Sequence, residues 1–310
     1  MTKLGIIGLG RVGSQVLTDV QSLNIFSEIV LIDTNEQRAS GEALDHEHIQ
    51  GLPNSNHIDI YTGGYETLAD AAFIVVTSSV PTDPEVGDRV ALAQGNRKMI
   101  KAVMEQISQV TQDAIIILVS NPVDTMTYLS NQVDYPTHKI IGTGTALETS
   151  RFKMLISKYY QVDPKNIEAF VIGEHGVHAV PVWSKVRVHG MELHEFEKLA
   201  GIPPIDKEKI IEIIDKVSMD VFYQKGWTNA AIAKVVNYVI QSIYLNQKTI
   251  MPLTSISNEY GLAESAFSLP TLVTRDGIQQ RFEVQLSDVE LEQLTEAHQY
   301  IQQTIAKASE

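Results

Sequence analysis

Three glycines near the start of the chain are spaced so that the backbone can approach another molecule closely. Gly8, Gly10 and Gly13 form a G-x-G-x-x-G pattern directly after a short apolar run and before a segment of helical periodicity. In that context the glycines bring backbone N–H groups at a helix N-terminus close to a pyrophosphate. We expect them, with Arg11 and Val12, to bind a dinucleotide; the alternative is a plain strand-to-helix turn.

An acidic residue beyond this segment distinguishes between two cofactors. Asp33 closes the second apolar run, 20 residues after Gly13, and the next arginine is Arg38. A carboxylate at that position accepts hydrogen bonds from a ribose 2′-hydroxyl and repels a 2′-phosphate. NAD is therefore favoured over NADP. The alternative is that Asp33 serves only the turn at the end of a strand.

Four further motifs follow the glycine pattern along the chain. They are Ser120-Asn121-Pro122-Val123-Asp124, Ile141-Gly142-Thr143-Gly144-Thr145, Leu147-Glu148-Thr149-Ser150-Arg151 and Gly173-Glu174-His175-Gly176. In this order they resemble the L-lactate/malate dehydrogenase family, over nearly the whole chain. Within the family the chain is most similar to L-lactate and L-2-hydroxyisocaproate dehydrogenases, the latter in Gly5 to Gly10 and in Gly87-Asp88-Arg89.

The chemistry of four residues agrees with that resemblance. Oxidising a secondary alcohol to a ketone needs a base for the hydroxyl proton, a cation for the carboxylate and a nicotinamide for the hydride. The resemblance implies that His175 transfers the proton, with Glu148 hydrogen-bonded to it. It also implies that Arg151 anchors the substrate carboxylate and that Arg89, on a mobile loop, polarises the reacting carbonyl. The alternatives for these arginines are a helix-surface ion pair and a solvated loop cation.

The resemblance further assigns residues around the cofactor and substrate. It implies that Asn121 orients both and that Thr228 lines the substrate pocket, the alternatives being a turn before Pro122 and helix capping. Thr77 and Ser78 are expected near the cofactor, although relatives often have alanine in place of this serine. We expect an NAD-dependent enzyme, without a metal, that interconverts a small L-2-hydroxy acid and its 2-keto acid. Lactate and bulkier analogues such as 2-hydroxyisocaproate are the candidate substrates.

Glu148 departs from the family pattern, which has aspartate at this position. One added methylene moves the carboxylate by about 1.5 Å, and such a displacement can slow catalysis. This keeps open a second hypothesis, a catalytically weak NAD-binding regulatory protein. The presence of His175, Arg151 and Arg89 together argues against it.

Charged residues elsewhere bear on substrate and regulation. Malate dehydrogenases, the other alternative, carry a second loop arginine, whereas between Val80 and Asp88 the only charged residues are acids. Some bacterial relatives bind fructose 1,6-bisphosphate between subunits through an arginine and a histidine. Lys153 and Glu168 occupy those positions here, so we expect no activation by this anion.

Short aliphatic runs alternate with segments of helical period over residues 1–142. The predicted strands are Leu4–Ile7, Ile29–Ile32, Phe73–Val76, Ala114–Val119 and Lys139–Ile141. The predicted helices are Val12–Leu23, Asn35–Ile49 and Leu92–Val110. This alternation predicts an α/β fold, with residues 1–142 forming a Rossmann domain around a doubly wound parallel sheet.

Residues 143–310 have a different pattern and are expected to form a mixed α+β catalytic domain. The predicted helices are Ala146–Tyr160, Lys207–Tyr223 and Ser287–Ala306. The predicted strands are Phe170–Ile172 and Trp183–Val188, with further strand signals between Ile250 and Glu283. Ser287 and Glu290 have the spacing of a capping box at the start of the last helix.

Composition excludes several classes of protein. The 310 residues are 44% hydrophobic, carry a formal charge of −14 and include no cysteine. A nucleic-acid partner is not expected, because phosphate binding needs a concentrated cationic surface. Without cysteine there is no disulfide and no cysteine-ligated metal site, such as an NAD-dependent glycosidase would need. We expect no membrane association, a cytoplasmic location and a homodimer or homotetramer, since Gly41 to Asp45 correspond to a helix that relatives bury between subunits.

Overall fold

A parallel sheet forms the first half of the computed structural model, which describes residues 2–80 and 89–309. Its strands are β1 Lys3–Ile7, β2 Glu28–Ile32, β3 Asp59–Thr62, β4 Phe73–Val76, β5 Ile115–Leu118 and β6 Ile140–Gly142. The helices are α1 Arg11–Gln21, α2 Glu36–Ile49, α3 Arg89–Val110 and α4 Val123–Ser130. The strand order β3-β2-β1-β4-β5-β6 is the doubly wound Rossmann order, which confirms the predicted fold class.

The second half extends this sheet with antiparallel strands. Its strands are β7 Ile167–Glu168, β8 Val171–Gly173, β9 Ala179–Pro181, β10 Arg187–Val188, β11 Met191–Glu192, β12 Thr249–Ser257, β13 Ser265–Thr274 and β14 Gly277–Arg281. Its helices are α5 Ala146–Tyr160, α6 Leu193–Ala200, α7 Lys207–Lys225, α8 Ala230–Tyr244 and α9 Asp288–Ser309. Strand β12 pairs with β6, and the sheet continues through β13, β8 and β9. A small separate sheet has the order β11-β10-β7.

Helices from the second half cover both faces of the parallel sheet. Val236 and Ile240 of α8 are fully buried in one cluster with Leu4, Ile6 and other strand residues. Ala308 of α9 belongs to the cluster on the opposite face, with residues of α3 and α4. Burial of apolar surface therefore holds the two halves together. Within the described ranges, no helix has the length and apolar character needed to cross a bilayer.

Two local predictions in the second half of the chain had different outcomes. The strand predicted over Trp183–Val188 is wrong in its first part, because Trp183–Lys185 is a 3-10 turn and only Arg187–Val188 pairs as a strand. Backbone bonds from Lys185 N to Val182 O and from Val186 N to Trp183 O close that turn. The predicted capping box is confirmed, since Ser287 N donates to the Glu290 carboxylate and Glu290 N donates to Ser287 Oγ.

Candidate active site

The glycine turn after β1 is tightly packed at Gly8 and Gly13 and open at Gly10. Gly8 has φ +94°, and a Cβ there would lie 2.5 Å from Ser78 N. A Cβ at Gly13 would collide with Gly8 O and lie 2.8 Å from Thr77 Oγ1, which donates to Gly8 O at 2.6 Å. A Cβ at Gly10 would have no heavy atom within 4 Å. The open side, at the start of α1, fits the pyrophosphate of a dinucleotide.

Asp33 fixes the glycine turn from the end of β2. Its Oδ2 accepts a hydrogen bond from Leu9 N at 2.6 Å, and its Oδ1 accepts one from Asn35 N at 2.8 Å. An ionised carboxylate has about four acceptor positions, so these two bonds leave it able to accept from a ribose hydroxyl. The turn role and the predicted cofactor role are thus compatible in one side chain.

A cavity of about 580 Å³ lies next to this turn and brings most of the predicted catalytic and substrate-binding residues together. Its polar side chains come from β5–α4, α5, β8–β9 and α7–α8. Among those lining it are Val12, Asn121, Glu148, Arg151, His175 and Thr228. Arg89 begins α3, but its side chain and residues 81–88 lie outside the described part of the structure. The convergence involves residues that are up to 216 positions apart in the sequence, from Val12 to Thr228.

Glu148 joins the imidazole and the guanidinium in this cavity. His175 Nδ1 lies 3.0 Å from Glu148 Oε2, and Arg151 Nη1 donates to Glu148 Oε1 at 2.9 Å. Burial raises the pKa of the Glu148 carboxyl, but the neighbouring His175 and Arg151 more than offset it, so the pKa lies below its ordinary value. Glu148 is therefore an ionised acceptor, and it spans both partners despite the added methylene. Its carboxylate fixes the orientation of both neighbouring groups.

Asp124 belongs to one of the sequence motifs, which predicted no role for it, and its carboxylate holds the backbone of His175. Its Oδ2 accepts a hydrogen bond from His175 N at 2.7 Å, and its Oδ1 accepts one from Thr254 Oγ1 at 2.5 Å. Burial, with a smaller contribution from nearby Glu174, raises the pKa of Asp124 to about 7. The available signal was an acidic side chain within the apolar first turn of α4.

The remaining walls of the cavity are largely apolar. Met219 and Phe222 of α7 and Tyr300 of α9 line it, and no sequence motif marks any of them. His178, predicted not to be the base, packs its ring on Tyr300 with centroids 4.5 Å apart. Asn96 Nδ2 donates to Asn121 O at 2.7 Å, which ties the loop after β5 to α3. The cavity thus combines the polar groups of the predicted site with apolar side chains of α7.

Family comparison covers both halves of the chain. The family model for the lactate/malate dehydrogenase NAD binding domain matches residues 2–142, and that for the alpha/beta C-terminal domain matches residues 145–310. L-lactate dehydrogenase 2 of Clostridium acetobutylicum is 40% identical over 299 residues, covering 95% of this chain and 93% of the relative. The L-lactate dehydrogenase of Selenomonas ruminantium is 38% identical over 307 residues, covering 98% and 96%.

Solved structures give the same result for the fold. A lactate dehydrogenase from Cryptosporidium parvum, complexed with lactic acid and NAD, has a TM-score of 0.93 at 25% identity, covering 99% of this chain and 98% of its own. L-lactate dehydrogenase from Clostridium thermocellum has a TM-score of 0.86 at 31% identity, with both chains fully covered. The predicted family, fold class and NAD cofactor are confirmed. Because the two family models together match residues 2–142 and 145–310, the chain belongs to the lactate/malate dehydrogenase family.

Proposed function

We propose that this protein is an NAD-dependent L-2-hydroxy-acid dehydrogenase that interconverts lactate, or a bulkier L-2-hydroxy acid, and its 2-keto acid. The observation that carries the proposal is the convergence of His175 and Arg151 on one cavity, joined through Glu148. The cavity adjoins the glycine turn, so a substrate there lies beside a dinucleotide. The relatives named L-lactate dehydrogenase support this reaction class.

Each residue of the site has a separate proposed role in the reaction. NADH, when bound, supplies the hydride in reduction, and NAD accepts it in oxidation. The Arg151 guanidinium holds the substrate carboxylate through N–H groups other than the Nη1 group bonded to Glu148. Because His175 Nδ1 faces Glu148, proton exchange with the substrate oxygen falls to Nε2. The Glu148 carboxylate stabilises the imidazolium form that gives up this proton in reduction. Arg89 and Asn121 complete the proposed set by polarising and orienting the carbonyl.

The lining of the cavity favours a monocarboxylate over malate. Among the described residues that line it, Arg151 is the one side chain with a permanent positive charge. A second carboxylate would therefore face Met219, Phe222 and other apolar groups, where an unpaired charge is costly. The same apolar walls suit a substrate side chain larger than a methyl group. A purely regulatory role is disfavoured because the Glu148 carboxylate contacts both the His175 imidazole and the Arg151 guanidinium.

A panel of 2-keto acids tests the proposal directly. We expect NADH oxidation, followed by absorbance, with pyruvate, 2-ketoisocaproate or phenylpyruvate in preference to oxaloacetate. His175→Gln should lower kcat by about 10²- to 10⁴-fold, because general acid–base catalysis contributes that much. Arg151→Lys should mainly raise KM, because a single ammonium cannot form two parallel bonds to a carboxylate. Preferential turnover of oxaloacetate, or full activity of the His175 variant, would overturn the assignment.

We further propose that the protein acts in the cytoplasm as a homodimer or homotetramer. Met154, Tyr238 and Ile250 are 43%, 51% and 56% exposed around a groove of about 660 Å³ between α5 and α8. Leu44 on α2 is 57% exposed as well. Apolar surface of this kind gains stability when a second subunit covers it. Light scattering after size exclusion tests this, and a monomer at micromolar concentration would contradict it.

A further inference from the structure

The turn between α7 and α8 carries one wall of the cavity. Gly226 ends α7 with φ +85°, and Asn229 immediately precedes α8. Thr228, between them, lines the cavity that holds His175 and Arg151. Since this turn belongs to neither helix, contacts with neighbouring groups must fix the position of Thr228.

An aromatic ring in the turn stacks on the dinucleotide-binding segment. The guanidinium carbon of Arg11 lies 3.5 Å from the centroid of the Trp227 ring. Lys225 Nζ lies 5.6 Å from the same ring. Arg11 is the first residue of α1 and lies between Gly10 and Gly13 of the glycine pattern. Tryptophan provides the most favourable ring for such cation–π contacts, so this stack joins the two binding segments across the cleft.

A second contact joins the same turn to the same face of α1. Asn229 occupies a helix N-cap position, where an asparagine side chain usually accepts a bond from the helix backbone. Here its side chain makes no capping bond. Instead Asn229 Nδ2 donates to Gln15 Oε1 at 3.1 Å, and Asn229 Oδ1 accepts from Lys225 Nζ at 2.6 Å. Gln15 lies one helical turn beyond Arg11, so both contacts reach one face of the helix.

We propose that Trp227 is a positioning residue for substrate binding. Its stack on Arg11, together with the Asn229–Gln15 bond, forms a clasp that holds Thr228 at a fixed distance from the dinucleotide turn. The clasp acts on the substrate half of the cavity, because Thr228 lines that cavity and lies between the two residues that make the contacts with α1. This inference rests on the proposed function for the identity of the substrate.

Replacing the ring tests the clasp. We expect Trp227→Leu to raise KM for the preferred 2-keto acid about tenfold at saturating NADH, while kcat changes less than threefold. The matched control is Trp227→Phe, which keeps a ring for the guanidinium and should stay within threefold of the wild type in KM. Thermal denaturation of each variant is measured alongside. An unchanged KM for Trp227→Leu overturns the proposal, as does a parallel loss of NADH affinity, kcat and melting temperature.

A double-mutant cycle separates the stack from general effects of the turn. Because Arg11 also belongs to the predicted dinucleotide site, the cycle is measured at saturating NADH. Arg11→Leu alone and the double variant with Trp227→Leu should then have the same KM for the 2-keto acid as Trp227→Leu alone, since the effects of contacting partners are not additive. If the effects of the two substitutions on KM instead multiply in the double variant, the proposal is overturned.

Fluorescence gives a readout that needs no turnover. The chain has two tryptophans, so in a Trp183→Phe background Trp227 is the sole tryptophan emitter under excitation selective for tryptophan, and Arg11→Leu should shift its emission. No shift would contradict the stack itself. If the wild type instead turns over no 2-keto acid while Arg11→Leu does shift the emission, the proposed function fails and the stack stands.

Discussion

The negative charge of Glu148 is central to the proposed mechanism, because its carboxylate is buried between an imidazole and a guanidinium. We expect Glu148→Gln to lower kcat about 100-fold, since a neutral amide cannot stabilise the imidazolium and can favour the wrong tautomer of His175. Steady-state kinetics with the preferred 2-keto acid measures this effect.

The matched control for that variant keeps the charge. Glu148→Asp restores the residue type expected from the family resemblance, so it should keep at least the activity of the wild type. Equal kcat values for glutamate, aspartate and glutamine at this position would remove the carboxylate from the mechanism.

Asp124 makes the stability of the fold depend on pH in a defined direction. Its pKa rises from 3.8 to about 7 on folding, mainly through burial. Between those values the folded protein keeps a proton that the unfolded chain releases, so this group's contribution to stability decreases as pH rises. We expect the melting temperature of Asp124→Asn, relative to the wild type, to increase from pH 4 to pH 8. A difference that stays constant across this range would contradict the raised pKa.

At the scale of elements, the turn between β1 and α1 tolerates a side chain at one glycine and not at another. Gly13→Ala should lower the free energy of unfolding by about 1–3 kcal/mol, because its Cβ meets Gly8 O and Thr77 Oγ1 in a packed position. Gly10→Ala should leave the free energy of unfolding within about 0.5 kcal/mol, because its Cβ meets no atom. Chemical denaturation measures both values. Equal destabilisation by the two variants would show that the steric difference is absent in solution.

The local pattern of apolar residues was sufficient to predict most strands of the parallel sheet and several of its helices. The strand Phe73–Val76 and the helix Ala146–Tyr160 have the predicted bounds, because each combines a clear period with a marked end. The helix Ala230–Tyr244 was not predicted, since its many valines and isoleucines suit a buried strand as well as a helix. The strand Asp59–Thr62 was also missed, because four residues with two polar ends give no resolved period.

Contacts across the fold could not be predicted from local pattern. The glycine turn and the His175, Glu148 and Arg151 motifs were visible because each is contiguous in sequence. The bond from His175 N to Asp124 joins residues 51 positions apart. The stack of Arg11 on Trp227 likewise depends on packing between α1 and the end of α7. Such contacts follow from tertiary packing, which a single sequence does not report.

At the scale of the whole molecule, charge around the α5–α8 groove bears on regulation. Burial lowers the pKa of Lys153 in its lining, while the charge of nearby Glu168 partly offsets that effect. A carboxylate beside the lysine repels a phosphate. We expect fructose 1,6-bisphosphate to change the half-saturating concentration of the 2-keto acid less than twofold.

Kinetic titration with and without the bisphosphate measures this response. Glu168→His is the matched variant, because it removes the repelling charge and leaves Lys153 in place. A large fall in the half-saturating concentration for the wild type would show that the anion binds despite Glu168.

The pairing of β12 with β6, at Thr254 and Gly142, continues one sheet across the point where the two family matches meet. A polypeptide cut there would leave an unpaired strand edge on each fragment, and exposed edges of this kind promote aggregation. Each fragment would also lose the helices that the other supplies to cover its apolar faces. Each half therefore depends on the other to pair its sheet edge and to cover its apolar faces, so joining one half to a foreign partner would require the residues at the β6–β12 pairing to be exchanged with it.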